Sequence, residues 1–269
     1  MFIFILLGAL FYSLKGIVLA HYLAYSLSIF VAILICKKDW NHFENRYILP
    51  RNFKWEFIKY SSICSLTNAV SSVLYLLDIF LIGLMIKDAS ILASYKTATI
   101  IPFALNFIPL SIMTFIGPYF TKMSKSYDHV KQYYITLKKY VLILNICIST
   151  GLYIFAPEII QICFGKEYLD SVIVFRILVM GYFIAGTFRI PNGNLLASLG
   201  KVKINLIVAI ISSTFNIIFD IVFIAKYGSI GAAIVTVSIF IISSLITEIY
   251  LVKILNIKIK DYLKSGVNL

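Results

Sequence analysis

The chain has 269 residues, of which 61% are hydrophobic and only 13% charged. Soluble domains average about 45–50% apolar and about 25% charged residues, so this composition, with a mean hydropathy of +0.94, excludes a soluble domain and marks an integral membrane protein. The net charge of +12 does not mark a nucleic-acid binder, because the basic residues fall between apolar runs, where Lys and Arg act as topology signals.

A membrane-spanning helix needs about 20 mostly apolar residues. The N-terminal run MFIFILLGALFYS carries no charge, so it lacks the basic n-region of a signal peptide. It reads as a truncated segment, Met1 to Tyr12, the end of a membrane helix whose beginning is absent. Full spans are expected at Gly16 to Cys36, Phe57 to Ile86, Thr97 to Tyr119, Tyr140 to Phe164, Ser171 to Ser198, Ile204 to Ala225 and Ser229 to Ile254. The fold class is therefore an all-α polytopic bundle of about seven to eight transmembrane helices.

The loops alternate in charge. One set carries seventeen Lys and Arg residues, from Lys37 through Lys139 and Lys201 to Lys264; the other carries five, Lys15, Lys87, Lys96, Lys166 and Lys226. The positive-inside rule then places the first set and the C-terminus in the cytoplasm. Residues 37–56 read as a cytoplasmic connector lying on the anionic leaflet, and residues 255–269 as a cytoplasmic tail. Neither a soluble domain nor a large external loop is expected, which argues against a membrane-embedded polymerase or ligase.

Charges inside apolar runs are costly and usually mark a site. Asp78, in YLLDIFLIG, either snorkels to the outer interface, pairs with nearby Lys96, or faces a water-filled cavity. Lys96 itself is an interfacial anchor beside Tyr95 or a contact for an anionic substrate. Arg176 and Arg189 cannot shed their charge. Thirteen residues apart, they differ by about 140° around a helix, so one can line a cavity while the other braces the bundle. Asp220 follows Asn216 by four positions, which stacks them on one helix face, as a proton or cation site or as a brace between helices. Glu248 is expected near the cytoplasmic interface. Pro102, Pro109 and Pro118 punctuate one span and are expected to kink it, and YGSIGAAIVT opens the last span with small residues suited to close packing.

The four cysteines and three histidines are scattered, with no metal-ligand spacing. No phosphate-cradling loop, nucleophile elbow, HExxH or paired-carboxylate signature occurs. An enzyme, a metal site and a bound cofactor are therefore not expected.

Several stretches together resemble a known family. They are KYSSICSLTNAVSSVLYLLDIFLIGLMI, ASYKTATIIPFALNFIP, ICFGKEYLDSVIVFRILVMGYF, NLLASLGKVKINL and AKYGSIGAAIVT. In this order and spacing they look like bacterial polysaccharide (O-antigen or capsule-type) flippases of the multidrug/oligosaccharidyl-lipid/polysaccharide exporter superfamily. The resemblance implies helices five to twelve of a twelve-helix, two-bundle exporter, N-terminally truncated. Residues 1–36 would end the first bundle and residues 57–254 would form a C-terminal six-helix bundle. Such proteins move lipid-linked oligosaccharide, usually on undecaprenyl pyrophosphate, across the bacterial cytoplasmic membrane. The implied partners are that lipid, membrane lipids, and a glycan polymerase with other assembly proteins. Lys96, Arg176 and Arg189 become candidate substrate contacts. Asp78, Asn216 and Asp220 become candidates for coupling to an H+ or Na+ gradient. A multidrug exporter of the same superfamily and a non-transporting scaffold for glycan assembly remain the alternatives.

Overall fold

The structure is a computed structural model that describes residues 2–40, 50–124, 126–258 and 261. All regular elements among them are helical: α1 (Phe2–Trp40), α2 (Arg51–Met85), α3 (Ala89–Ala104), α4 (Phe107–Met123), α5 (Tyr127–Ile154), α6 (Ala156–Phe164), α7 (Val172–Ile184), α8 (Ile190–Ser198) and α9 (Val202–Ile254). Six stretches are long and apolar enough to cross a membrane: Lys15–Lys37, Asn52–Met85, Ala89–Met123, Tyr127–Ile154, Lys166–Ser198 and Val202–Ile254. The last counts two expected spans as one, because Gly228 breaks α9 into arms of residues 202–227 and 229–254. This is a multi-pass, all-helical membrane protein.

The chain divides into two compact units, Met1–Trp55 and Glu56–Leu269. Within the first, Gly8 packs so closely on the later part of α1 that a Cβ would sit 2.3 Å from the Gly16 carbonyl oxygen. Of the expected connector, residues 41–49, which carry His42 and Arg46, lie outside the described residues; so does most of the tail, including Lys264.

In the second unit α7 lies at the centre, packed on α3, α5, α6 and α9, while α8 packs on α4 and α9. Accordingly 61% of the best apolar window in Lys166–Ser198 is buried, against 22% for that in Asn52–Met85. One apolar cluster gathers Ile82, Tyr95, Phe175, Leu178 and Ala232; a second gathers Met113, Phe120, Val130, Leu195 and Leu251. Large side chains cover the outside, with Phe115 72% and Ile162 82% exposed. Such a surface is stable against acyl chains and not against water.

Three expected spans are interrupted, each for a local reason. The span containing Pro102, Pro109 and Pro118 starts earlier, at Ala89, and breaks between α3 and α4 at Leu105–Asn106. Pro109 has no N–H for the Leu105 carbonyl, and the Ile108 amide reaches it instead at 3.0 Å in a tighter turn. The span expected from Tyr140 begins at Tyr127 and breaks at Phe155, ahead of Pro157 at the start of α6. The span from Ser171 carries a π-helical turn over Ala185–Arg189. Pro191, two residues on, cannot donate to the Thr187 carbonyl, and the ladder widens just before it.

Glycines make the sharp turns. After α8, Gly200 takes a positive φ of 73°, and the amides of Lys201 and Gly200 bond the carbonyls of Leu196 and Ala197 at 2.8 and 2.9 Å. That is a Schellman stop, which glycine alone adopts without strain. Gly228 (φ 58°, ψ −140°) reverses the chain within α9, and a Cβ on Gly231 would fall 2.2 Å from the Phe223 oxygen. The YGSIGAA run is thus a close helix contact, as its small residues predict. Beyond the last span, Asp261 pairs with Lys131 at 2.5 Å. That hydrogen bond, chiefly, holds the Asp261 carboxyl below the usual carboxylate range.

Candidate functional site

Asp78 is 1% exposed, and its neighbours are hydroxyls. The Tyr95 hydroxyl donates to Oδ2 at 2.6 Å, and Thr236, from the second arm of α9, donates to the same oxygen. Asn216 and Asp220, both fully buried, face the same carboxyl from the first arm. The four-residue spacing does put them on one stripe. Lys96 is exposed and is no partner of Asp78. One residue beyond Tyr95, it is turned about 100° around α3, so Tyr95 enters the core while Lys96 leaves it. The Asp78–Lys96 pair, one of the three readings open to Asp78, is absent, and two hydroxyls donate to Asp78 instead.

The two hydroxyls satisfy one oxygen only. Asp78 Oδ1, Asn216 Oδ1 and Nδ2 and both Asp220 oxygens have no hydrogen-bond partner among the described residues. Two carboxyl groups together in a buried site cannot both stay charged without a proton or a cation between them. Among the described residues no three His, Cys, Asp or Glu side chains come together as a metal cluster. Two carboxyls and an amide oxygen are hard donors that suit a hard cation or a proton, and they fit poorly to a thiol- or imidazole-seeking metal.

A cavity of about 760 Å³ lies between α2, α3, α4, α8 and α9. Its wall carries the amides Asn68, Asn106, Asn194 and Asn205 and the hydroxyls of Ser71 and Ser72; Arg189 is the one charged residue among the described residues lining it. The Arg189 guanidinium donates to the Tyr75 hydroxyl at 2.9 Å. It lies 5.6 Å from the Tyr75 ring centroid and 5.1 Å from that of Phe240, a cation–π cradle that holds the charge without neutralising it. Tyr75 is one turn from Asp78 on α2, and Phe240 one turn from Thr236 on α9. The cavity arginine and the buried acids therefore share two helices.

Arg176 takes the other role open to it. Its Nε donates to the Tyr153 carbonyl at 3.1 Å, at the C-terminal end of α5, where a cation favours the helix dipole. It braces the bundle and, like Lys96, does not line the cavity.

Two polar networks have no counterpart in the sequence reading. Lys138, 8% exposed, pairs with Glu248 at 2.5 Å; Glu248 also accepts from Asn192 at 2.9 Å and from Tyr134 at 3.3 Å. Glu248 is thus tied down instead of simply reaching the interface. Behind the π-helical turn, Asn145 accepts from Tyr182 at 2.9 Å and donates to Thr187 at 3.1 Å. A Cβ on Gly186 would crowd the Asn145 amide at 3.1 Å. The one available signal was the polarity of Lys138, Asn145 and Asn192 within apolar runs.

The fold has solved counterparts. The lipid II flippase MurJ, in an inward closed conformation, superposes over 98% of this chain and 56% of its own, with a TM-score of 0.67 and 22% identity. A transporter of the MOP superfamily from Pyrococcus furiosus matches 77% of this chain and 49% of its own, at a TM-score of 0.64 and 18% identity. An outward-facing multidrug resistance transporter of the MATE family gives the same coverage and TM-score at 19% identity. At these identities the likeness establishes the fold. An uncharacterized membrane protein of Methanocaldococcus jannaschii is 39% identical over 83 residues, 31% of this chain and 16% of that protein. The chain thus spans about half the length of these solved transporters and less of the curated relative. The sequence model for polysaccharide biosynthesis proteins covers residues 1–173, more than half of the chain and including the whole run from Asp78 to the α6 turn. By that match the chain belongs to the polysaccharide biosynthesis protein family.

Proposed function

We propose that this chain forms part of a flippase that carries lipid-linked oligosaccharide across the bacterial cytoplasmic membrane, with its C-terminus in the cytoplasm. One observation carries the reading: Arg189, the single charged residue among the described residues lining a polar 760 Å³ cavity, is hydrogen-bonded to the helix that bears the buried Asp78. An always-charged guanidinium with free N–H groups recognises phosphate oxygens, and amides on the same wall can both donate to and accept from sugar hydroxyls. Asp78, Asn216 and Asp220 hold the coupling cation or proton. Filling the acid site orders the Asp78 and Thr236 segments of α2 and α9, and through Tyr75 and Phe240 this sets where Arg189 sits. Cation occupancy and anion affinity are then linked, and the linkage is reciprocal. The residues do no covalent chemistry in this scheme; they bind, orient and release. Lys96 and Arg176 stand outside the cavity wall and are assigned anchoring roles.

The test is genetic and chemical. Loss of the gene should leave lipid-linked repeat units on the cytoplasmic face, and a copy carrying Arg189→Ala or Asp220→Asn should not restore surface glycan. Unchanged surface glycan after loss of the gene refutes the proposal. Altered drug sensitivity with normal glycan would transfer the scheme to a multidrug exporter.

A further inference from the structure

A second recess opens on another wall of the Glu56–Leu269 unit, between α5, α7 and the second arm of α9. It has a volume of about 460 Å³, within the roughly 300–1,000 Å³ of ligand pockets. Its lining is apolar almost throughout, from Ile135, Leu142, Ile184, Phe188, Ile241 and Leu245; Lys138, Lys139 and Glu248 border it at its charged end. Ile241 and Leu245 are 40% and 56% exposed, so this wall looks outward onto a surface that only hydrocarbon covers favourably in a bilayer.

The charged end is not neutral. Lys138 is matched by Glu248 at 2.5 Å, but Lys139, half-buried on the same rim, has no ion pair among the described residues. Ser244 adds an independent sign: 5% exposed and lining the recess, its hydroxyl has no hydrogen-bond partner among the described residues. An apolar recess bordered by a spare positive charge is complementary to an amphiphile with an anionic head. Basic pockets between membrane helices bind such headgroups.

We propose that this recess is a binding site for one anionic phospholipid of the leaflet at the Lys138 end. An acyl chain lies along Phe188, Ile241 and Leu245, and the phosphate rests on Lys139. The site is separate from the Arg189 cavity but shares a wall with it: Phe188 and Glu248 line the recess, while Arg189 and Thr247 line the cavity. The inference does not depend on what the cavity carries.

Native mass spectrometry of the full chain in detergent tests it, with phosphatidylglycerol or phosphatidylcholine added at equal concentration. One lysine beside an anionic headgroup predicts about fivefold greater retention of phosphatidylglycerol. Lys139→Gln should bring that lipid down to the phosphatidylcholine level. Leu245→Trp, which fills the recess from an exposed position, should lower retention of both lipids, with Ile241→Trp as the substitute if that variant does not purify. Lys203→Gln, an exposed charge on the first arm of α9, which does not line the recess, should change nothing. Equal retention of the two lipids by the unmodified chain overturns the proposal. So does a lack of effect from either the Lys139 or the recess-filling variant, or a Lys203 effect as large as that of Lys139.

Discussion

Replacing Asp220 by Asn tests the buried acid site directly. Four oxygens there lack a donor among the described residues: Asp78 Oδ1, Asn216 Oδ1 and both oxygens of Asp220. A buried acceptor left unpaired costs about 1–3 kcal/mol, so a cation that meets all four gains on the order of 4 kcal/mol at the low end. That corresponds to a Kd of about 1 mM. Sodium at about 100 Kd then stabilises the folded chain by roughly 2.7 kcal/mol, which is about 5–10 °C in Tm at about 2–4 °C per kcal/mol for a domain of this size. The assay is thermal unfolding of the purified chain in sodium chloride against choline chloride at equal ionic strength. Asp220→Asn removes one charge and offers an amide donor to Asp78, so Tm in choline should hold or rise while the sodium increment disappears. If the pair uses a proton, the increment appears on acidification in choline instead of with sodium. An unmodified chain that responds to neither, or a variant that keeps the increment, refutes the reasoning.

Other substitutions separate the cavity from the scaffold. Tyr75→Phe deletes the 2.9 Å bond from Arg189 but keeps the ring; a bond to a charged group is worth about 1.5–3 kcal/mol, so glycan export in a complementation assay should fall about tenfold or more. The sodium increment in Tm should survive that change. Lys138→Met leaves Glu248 without its 2.5 Å counter-ion and should destabilise by about 3–5 kcal/mol; adding Glu248→Met should recover much of the loss in thermal unfolding. Gly228→Ala forces a side chain onto φ 58°, ψ −140° and should cost about 1–3 kcal/mol, read as a lower Tm with an unchanged sodium increment.

What the sequence made legible was whatever depends on composition and helical period. Asn216 and Asp220 stack because they are four apart, and both are fully buried. Arg176 and Arg189 part company because thirteen residues turn a helix by about 220°, or 140° the shorter way, and one braces α5 while the other enters the cavity. Pairing across the fold was not legible. The donors to Asp78 lie 17 and 158 residues away, and the cation that the sequence offered as a partner, Lys96, sits on the wrong side of its helix. Prolines announced disturbance without its form: Pro109 sits beside an interruption between α3 and α4, whereas Pro191 follows a π turn that joins α7 to α8 without a gap. That distinction depends on which neighbours supply partners to the freed carbonyls.

Adjacent residues at the end of the π turn have different tasks. Phe188 lines the lipid-facing recess and Arg189 the polar cavity, so the strip of chain between two solvents is one peptide wide. An ordinary helix could place two neighbours about 100° apart. Here the widened turn is also fixed from behind, by Asn145 on Thr187 and by Gly186, which lets Asn145 approach. Asn192, fully buried, pins the next turn to Thr247 and Glu248 on α9. Shifting this strip therefore means breaking buried hydrogen bonds on both flanks, and such packed elements move between discrete arrangements instead of yielding gradually. A cation among the acids, an anion on Arg189 and a lipid against Phe188 would all bias the same element. Pairwise coupling between the three ligands, and not just their separate affinities, is the quantity this arrangement predicts.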